Sequence, residues 1–136
     1  MSRPNTVRCM LGMLGTDVHS KGVRTLARLL DEAGGIDVEY IGEHNSVEGM
    51  ANAVAERQSD IVGISFSSAA YVEYTRRLIE AMKARGVGHI PVMLGGMIHP
   101  DDVDELKEMG VAGVFGAGSK TEDIVLFVQS VGAPKI

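Results

Sequence analysis

The chain has 136 residues, a formal net charge of −5 and 45% hydrophobic residues, which suits one domain over residues 1–136 with a single packed core. An acidic balance, 13 Lys plus Arg against 18 Asp plus Glu, excludes nucleic acid as an expected partner, because phosphate neutralisation needs clustered basic residues. No apolar run is long enough to cross a membrane, Met1 to Thr6 is too polar for a signal peptide, and the lone Cys9 makes a reducing, cytoplasmic setting the default.

Strand and helix patterns alternate along the chain. Val7–Leu11 reads as a buried first strand, followed by a polar, glycine-bounded stretch from Gly15 to Gly22. A helix is predicted from about Val23 to Ala33, since Val23, Leu26, Ala27 and Leu30 fall on one face of a 3.6-residue period. Gly34 and Gly35 end it. Asp37–Ile41 alternates as a strand at or near a sheet edge, and Ser46 is placed to cap a helix over Val47–Arg57. Ile61–Ser65 is a continuous apolar run of the kind a central parallel strand requires. A long helix over Tyr71–Arg85 ends at Gly86, and a fourth strand over Pro91–Leu94 is expected to break at Gly95-Gly96. Asp101–Met109 forms a short acidic helix, Val111–Phe115 a fifth strand and Thr121–Val131 the last helix.

Five such units with short connections predict an α/β fold: a flavodoxin-like, Rossmann-like doubly wound parallel sheet of order 2-1-3-4-5. Ligands of such sheets bind beyond the carboxyl ends of the strands. Four segments lie there: Gly15–Gly22, Ser65–Ala70, Gly95–Pro100 and Gly116–Thr121.

The first contains Asp17-x-His19-x-x-Gly22. An aspartate two residues before a histidine can accept from one ring nitrogen and make the other a better metal donor. Asp17 as a plain helix cap and His19 as a surface loop residue remain the alternative. Ser65 and Ser67 can bond a ligand without filling its space, or cap a helix. Gly95-Gly96 can admit something flat, or end a strand. Gly116-Ala117-Gly118-Ser119 can cradle a phosphate, or make a turn.

Taken in order, these motifs resemble the cobalamin-binding domain of the B12-dependent mutases, the methylmalonyl-CoA mutase and glutamate mutase group, over roughly residues 6–131. Asp17-x-His19-x-x-Gly22 matches the family's Asp-x-His-x-x-Gly, Ser65-Phe66-Ser67 its Ser-x-Leu, Gly95-Gly96 its Gly-Gly, and Gly116–Ser119 its Gly-x-Gly-Thr/Ser. The resemblance implies adenosylcobalamin as cofactor, with His19 as lower ligand to cobalt in place of the cofactor's own base and Asp17 behind it. The displaced nucleotide tail would lie on Ser65, Ser67, Gly95 and Gly96, with Gly116, Gly118 and Ser119 at its far end. Thr16, Val18, Ser20 and Met97 belong to the same cofactor-contacting segments. A separate large TIM-barrel subunit would hold an acyl-CoA substrate over the upper face, giving a hetero-oligomer. Gly63-Ile64-Ser65 and Val114-Phe115-Gly116 resemble the CoA mutases more than glutamate mutase.

Two positions depart from the family. Ser67 replaces the leucine of Ser-x-Leu, and Met13 stands where many CoA mutases carry a lysine that pairs with the aspartate, a role Lys21 could take. Other readings fare worse. A response-regulator receiver needs an aspartate where Ser65 stands, no Gly-x-Gly-x-x-Gly or ordered P-loop follows strand 1, and His19, His44, His89, His99 and Cys9 show no zinc spacing. The eight methionines read as core filler. A corrinoid protein for methyl transfer is the closest rival. Such proteins carry a helical cap ahead of the corrinoid domain, and a first strand by Val7 favours the mutase reading.

Overall fold

The computed structural model describes residues 6–14, 21–43, 45–66, 70–116 and 119–131, without the side chain of Lys21. The strands are β1 (Val7–Gly12), β2 (Ile36–Tyr40), β3 (Ile61–Phe66), β4 (Val92–Gly96) and β5 (Gly113–Phe115). They form one sheet in the order β2-β1-β3-β4-β5, with every pairing parallel. The helices are α1 (Lys21–Ala33), α2 (Val47–Arg57), α3 (Tyr71–Ala84), α4 (Val103–Glu108) and α5 (Thr121–Val131). This is the flavodoxin-like architecture that the alternating pattern predicts.

Both faces of the sheet are covered, which is why the central strands carry unbroken apolar runs. Successive side chains on a strand point to opposite faces. Met10, Val62, Ile64, Phe66, Val92 and Leu94 pack with residues of α2, α3 and α4. Val7, Cys9, Leu11, Ile61 and Met93 pack with Val23 and Leu30 of α1 and Val128 of α5. Ser46 caps α2 by accepting from the Gly49 backbone N–H at 2.9 Å. Gly34 and Gly35 follow α1 with φ of +83° and +73°, a region that glycine enters without a Cβ clash.

Several boundaries differ from the sequence expectation by one or two residues, and three of them have a visible physical reason. β4 runs through Gly95-Gly96 rather than breaking there, because Ser65 and Phe66 of β3 continue the ladder opposite them. The acidic helix begins as a 3-10 turn at Pro100–Asp102, where proline has no N–H to give. β5 starts at Gly113 rather than Val111, since only Gly113 to Phe115 pair in register with β4, although the Ala112 N–H still donates to the Val92 carbonyl at 2.8 Å.

Two buried groups carry consequences. The Thr75 hydroxyl of α3 is fully buried and has no hydrogen-bond partner among the described residues. An unpaired buried hydroxyl forfeits its hydration without return. Thr75→Val is expected to raise unfolding free energy by about 1 kcal/mol, read from urea denaturation. Cys9 sits in the core under α1 and α5, and burial pushes its thiol pKa from 9.0 up to about 12. The folded state thus disfavours the thiolate, so this contribution is present below about pH 9 and is lost as pH rises further. At pH 8 a thiol reagent should leave native protein unlabelled and label it once denatured. Labelling of the native chain at the denatured rate would contradict this burial.

Candidate functional site

A cavity of about 460 Å³ opens at the carboxyl edge of the sheet, between its face and helices α1 and α5. That is the size of a small-molecule site. Leu11 of β1, Gly63 and Ser65 of β3, Met93 and Gly95 of β4 and Phe115 of β5 form the floor. Val23, Thr25, Leu26 and Leu29 of α1 and Thr121 and Ile124 of α5 form the walls. Among the described lining residues none is ionisable. The polar groups are hydroxyls, and that of Ser65 has no partner among the described residues. Such a slot suits a flat, uncharged, mostly apolar group, and desolvating a charge inside it would be costly.

The glycines of the floor and rim are small for different reasons. A Cβ on Gly63 would come within 2.6 Å of Leu11 Cδ2 and 2.8 Å of Met93 Cε, so these two side chains close over it. A Cβ on Gly95 would meet only the Phe115 carbonyl oxygen, at an ordinary 3.5 Å. Nothing within the fold demands a glycine there, and the missing side chain is open cavity. Gly96 is different: its φ is +98°, and a Cβ would run into the carbonyl of Phe66. The backbone itself therefore requires Gly96. Gly22 lies within the first turn of α1, not in a turn leading to it, and a Cβ there would meet nothing within 4 Å.

The structure thus brings Gly22, Ser65, Gly95 and Gly96 together around one cavity. Met97 follows them and is 68% exposed at the same edge. Gly116 and Ser119 lie on the connection after β5, where the Ser119 N–H donates to the Gly116 carbonyl at 3.1 Å. Thr16, Asp17, Val18, His19, Ser20, Ser67 and Gly118 lie outside the described residues. Their neighbours are informative. Leu14, before the Asp-x-His segment, bridges to Asn45 beyond the end of β2, and Gly22, after it, lines the cavity. Met13 is fully buried against the α1 side, an apolar setting in which a lysine would need a partner.

Sequence reasoning missed three contributors. Asn45 Nδ2 donates to the carbonyls of Met13 at 3.0 Å and Gly42 at 2.8 Å, tying the exit of β1 to the exit of β2. The helical period that puts Leu26 on the buried stripe of α1 also carries it to the cavity, and Ile124 of the apolar helix α5 reaches it from the other side. Phe115 is expected at the end of the fifth strand, but not its ring contact: it stacks edge-on against Phe127, with centroids 5.1 Å apart, at the β5 end of the floor.

An open parallel sheet with its pocket beyond the strand ends defines a ligand-binding doubly wound protein. Residues 7–126 match the B12 binding domain model, and the chain belongs to that family. It is 31% identical over 126 residues to the pivalyl-CoA mutase small subunit of Xanthobacter autotrophicus, covering 93% of this chain and 84% of that one. It is 28% identical over 129 residues to the 2-hydroxyisobutanoyl-CoA mutase small subunit of Aquincola tertiaricarbonis, covering 95% and 94%. The ethylmalonyl-CoA mutase of Methylorubrum extorquens is 32% identical over 110 residues, which are 81% of this chain and 16% of that much longer protein. Among solved structures, a cobalamin-binding protein from Desulfitobacterium hafniense DCB-2 superposes with a TM-score of 0.76 at 24% identity, over 90% of this chain and 57% of that one. The receiver domain of NarL from Mycobacterium tuberculosis does so with 0.71 at 19% identity, over 95% and 98%. At those identities the two structures share the fold.

The two rim glycines separate by stability. Gly95→Ala should change unfolding free energy by less than about 1 kcal/mol, since its Cβ enters open space. Gly96→Ala should cost about 2–3 kcal/mol, because both φ and the Phe66 carbonyl oppose it. Equal losses in chemical denaturation would show that the backbone, not a ligand, needs both.

Proposed function

We propose that residues 1–136 form one cobalamin-binding domain that serves as the small subunit of an adenosylcobalamin-dependent acyl-CoA mutase. One observation carries the reading: an uncharged, glycine-floored cavity at the carboxyl edge, with Gly22 of the Asp17-x-His19-x-x-Gly22 motif in its wall. The donor set suits the cofactor. The tail's base is flat, neutral and largely hydrocarbon, as the cavity requires, and the histidine of the motif supplies a nitrogen donor for cobalt. His19 would hold the metal and Asp17 would fix its tautomer and raise its basicity. Ser65 would bond the tail, Gly95 would leave space for it, and Ser67, Gly116, Gly118 and Ser119 would lie along its farther part.

When bound, adenosylcobalamin supplies the radical chemistry of carbon-skeleton isomerisation. The chain itself binds, orients and keeps water from the tail. Thr25, Ser65 and Thr121 offer hydroxyls, and the apolar walls of α1 and α5 exclude solvent around the base. No described residue at this edge is an acid or base lining the cavity, so substrate chemistry falls to a partner. The small-subunit relatives support a hetero-oligomer with a larger mutase subunit; that subunit would be a TIM barrel holding an acyl-CoA thioester. A cytoplasmic setting, with neither nucleic acid nor membrane as partner, completes the reading. No helix among the described residues is long and apolar enough to cross a membrane.

The test is spectroscopic. Titration of 15N-histidine-labelled chain with cobalamin first reduced chemically to Co(II) should yield a paramagnetic resonance signal split by the labelled imidazole nitrogen, and His19→Ala should abolish that splitting and weaken binding at least about tenfold. An unchanged signal in His19→Ala would sink the ligand assignment. Co-purification from the native cell should bring a large subunit with acyl-CoA isomerising activity, whereas a methyl-transfer partner would move the chain to the rival corrinoid class.

A further inference from the structure

Beyond the end of the sheet, the segment that leaves β4 is pinned on two sides. Towards β3, the Met97 N–H donates to the Phe66 carbonyl at 2.8 Å. Two residues on, the His99 N–H donates to the Tyr71 hydroxyl at 3.0 Å, and that hydroxyl donates to the Asp102 carboxylate. Towards β5, the Ile98 carbonyl lies so near Gly116 that a Cβ there would sit 3.3 Å from it.

Tyr71 is the node of this arrangement. It is the first residue of α3, only 5% exposed, with its ring tilted against Phe66 at 6.1 Å between centroids. The phenol is held above its ordinary pKa, first by its hydrogen bond to Asp102, against the opposing effect of the His99 N–H. It therefore keeps its proton at neutral pH and stays a donor. Neither Tyr71 nor Asp102 lines the cavity, yet what they hold is its rim. Gly95 and Gly96 border the cavity immediately before the pinned residues, and Gly96 turns the chain out of β4 at φ +98° with no side chain to brace it. Without the Tyr71 tie, the Met97 N–H and the packing of Ile98 would be left to hold this exit, and movement of Ile98 would carry to Gly116.

We propose that Tyr71 and Asp102 are positioning residues that fix the width of the opening between the β3, β4 and β5 exits, and so set affinity for the cofactor's nucleotide tail rather than for its corrin ring. The inference rests on the cobalamin reading above, and the test separates the two.

The full chain and its Asp102→Ala, Asp102→Asn and Tyr71→Phe variants would be titrated with cobalamin and with cobinamide, the same corrin without the tail, by visible absorption. Asp102→Ala and Tyr71→Phe should each weaken cobalamin binding about tenfold while leaving cobinamide within about twofold. Asp102→Asn, whose amide oxygen still accepts from the phenol, should retain most of the affinity. Combining Tyr71→Phe with Asp102→Ala should lose little more than either alone, as expected of one shared interaction. If Tyr71→Phe fails to fold, the Asp102 pair carries the comparison by itself. Equal losses for both corrinoids, or no loss for cobalamin, would overturn the positioning role. Unaltered protein that binds cobinamide and cobalamin equally would overturn it too while leaving His19 ligation standing; unaltered protein that binds neither would overturn both readings.

Discussion

Pairing of β3 with β4 sets Ser65 opposite Gly95 and Phe66 opposite Gly96, and the rest of the site depends on that register. Because strand side chains alternate, the first pair faces α1 and α5 while Phe66 faces α2 and α3. The same parity puts Gly63 beneath them and Leu94 on the far side. A slip of one residue would bring Phe66 and Leu94 into the cavity and expose the small residues to the other core. Interiors are close-packed, so a space of this size persists only where small residues fall in line on one face. Here Ser65 and Gly95 do, paired on neighbouring strands, at the end of the sheet where a doubly wound fold is open.

The two faces of the sheet consequently differ in what they contribute. Towards α2, α3 and α4, Met10, Ile64, Phe66, Leu78, Met82, Leu94 and Leu106 are almost wholly buried. Towards α1 and α5 the buried set is smaller, and Leu26, Ile124, Val125 and Phe127 are only partly covered. Helices α1 and α5 form part of their packing through each other and part through the cavity wall. A ligand seated there would bury apolar surface that the chain alone leaves accessible, and would stabilise the fold by mass action as well as being held by it. The dense face supplies the rigidity that lets the other remain open, and the Tyr71–Asp102–His99 tie links the two, since it grows from the dense side and ends at the rim.

Element types and sheet order were legible because period-two and period-3.6 patterns are local and strong here, as in Val23, Leu26, Ala27 and Leu30. What the sequence did not show was which of two roles a small residue fills. Gly95 and Gly96 read as one motif, yet one leaves space and the other relieves a backbone clash, a distinction that needs φ and the position of a neighbouring strand. The glycines also misled the strand boundary: low strand propensity argues for a break, but the available ladder partners on β3 overrode it. Asn45, Tyr71 and Asp102 carried no signal, because each acts through a contact distant in sequence. The residues with the plainest chemical pattern, Asp17 and His19, lie outside the described residues, so the pattern and the geometry support the reading from different parts of the chain.

Fold alone would not have separated this chain from a phosphorylated receiver, whose superposition is nearly as good. What separates them is the chemistry at one position and the space around it. A receiver's acceptor aspartate would need to stand where Ser65 does, beside charged partners and solvent. In this chain that position carries a neutral hydroxyl on the floor of an uncharged cavity, next to a glycine that keeps the space open. An aspartate there would be a carboxylate facing Leu11, Met93 and Phe115, a setting that disfavours its charged form. The same five-stranded scaffold thus sets a neutral hydroxyl and an open glycine, Ser65 and Gly95, where a receiver would need a charged acceptor. Function in this fold is decided by what the carboxyl edge leaves empty as much as by what it displays.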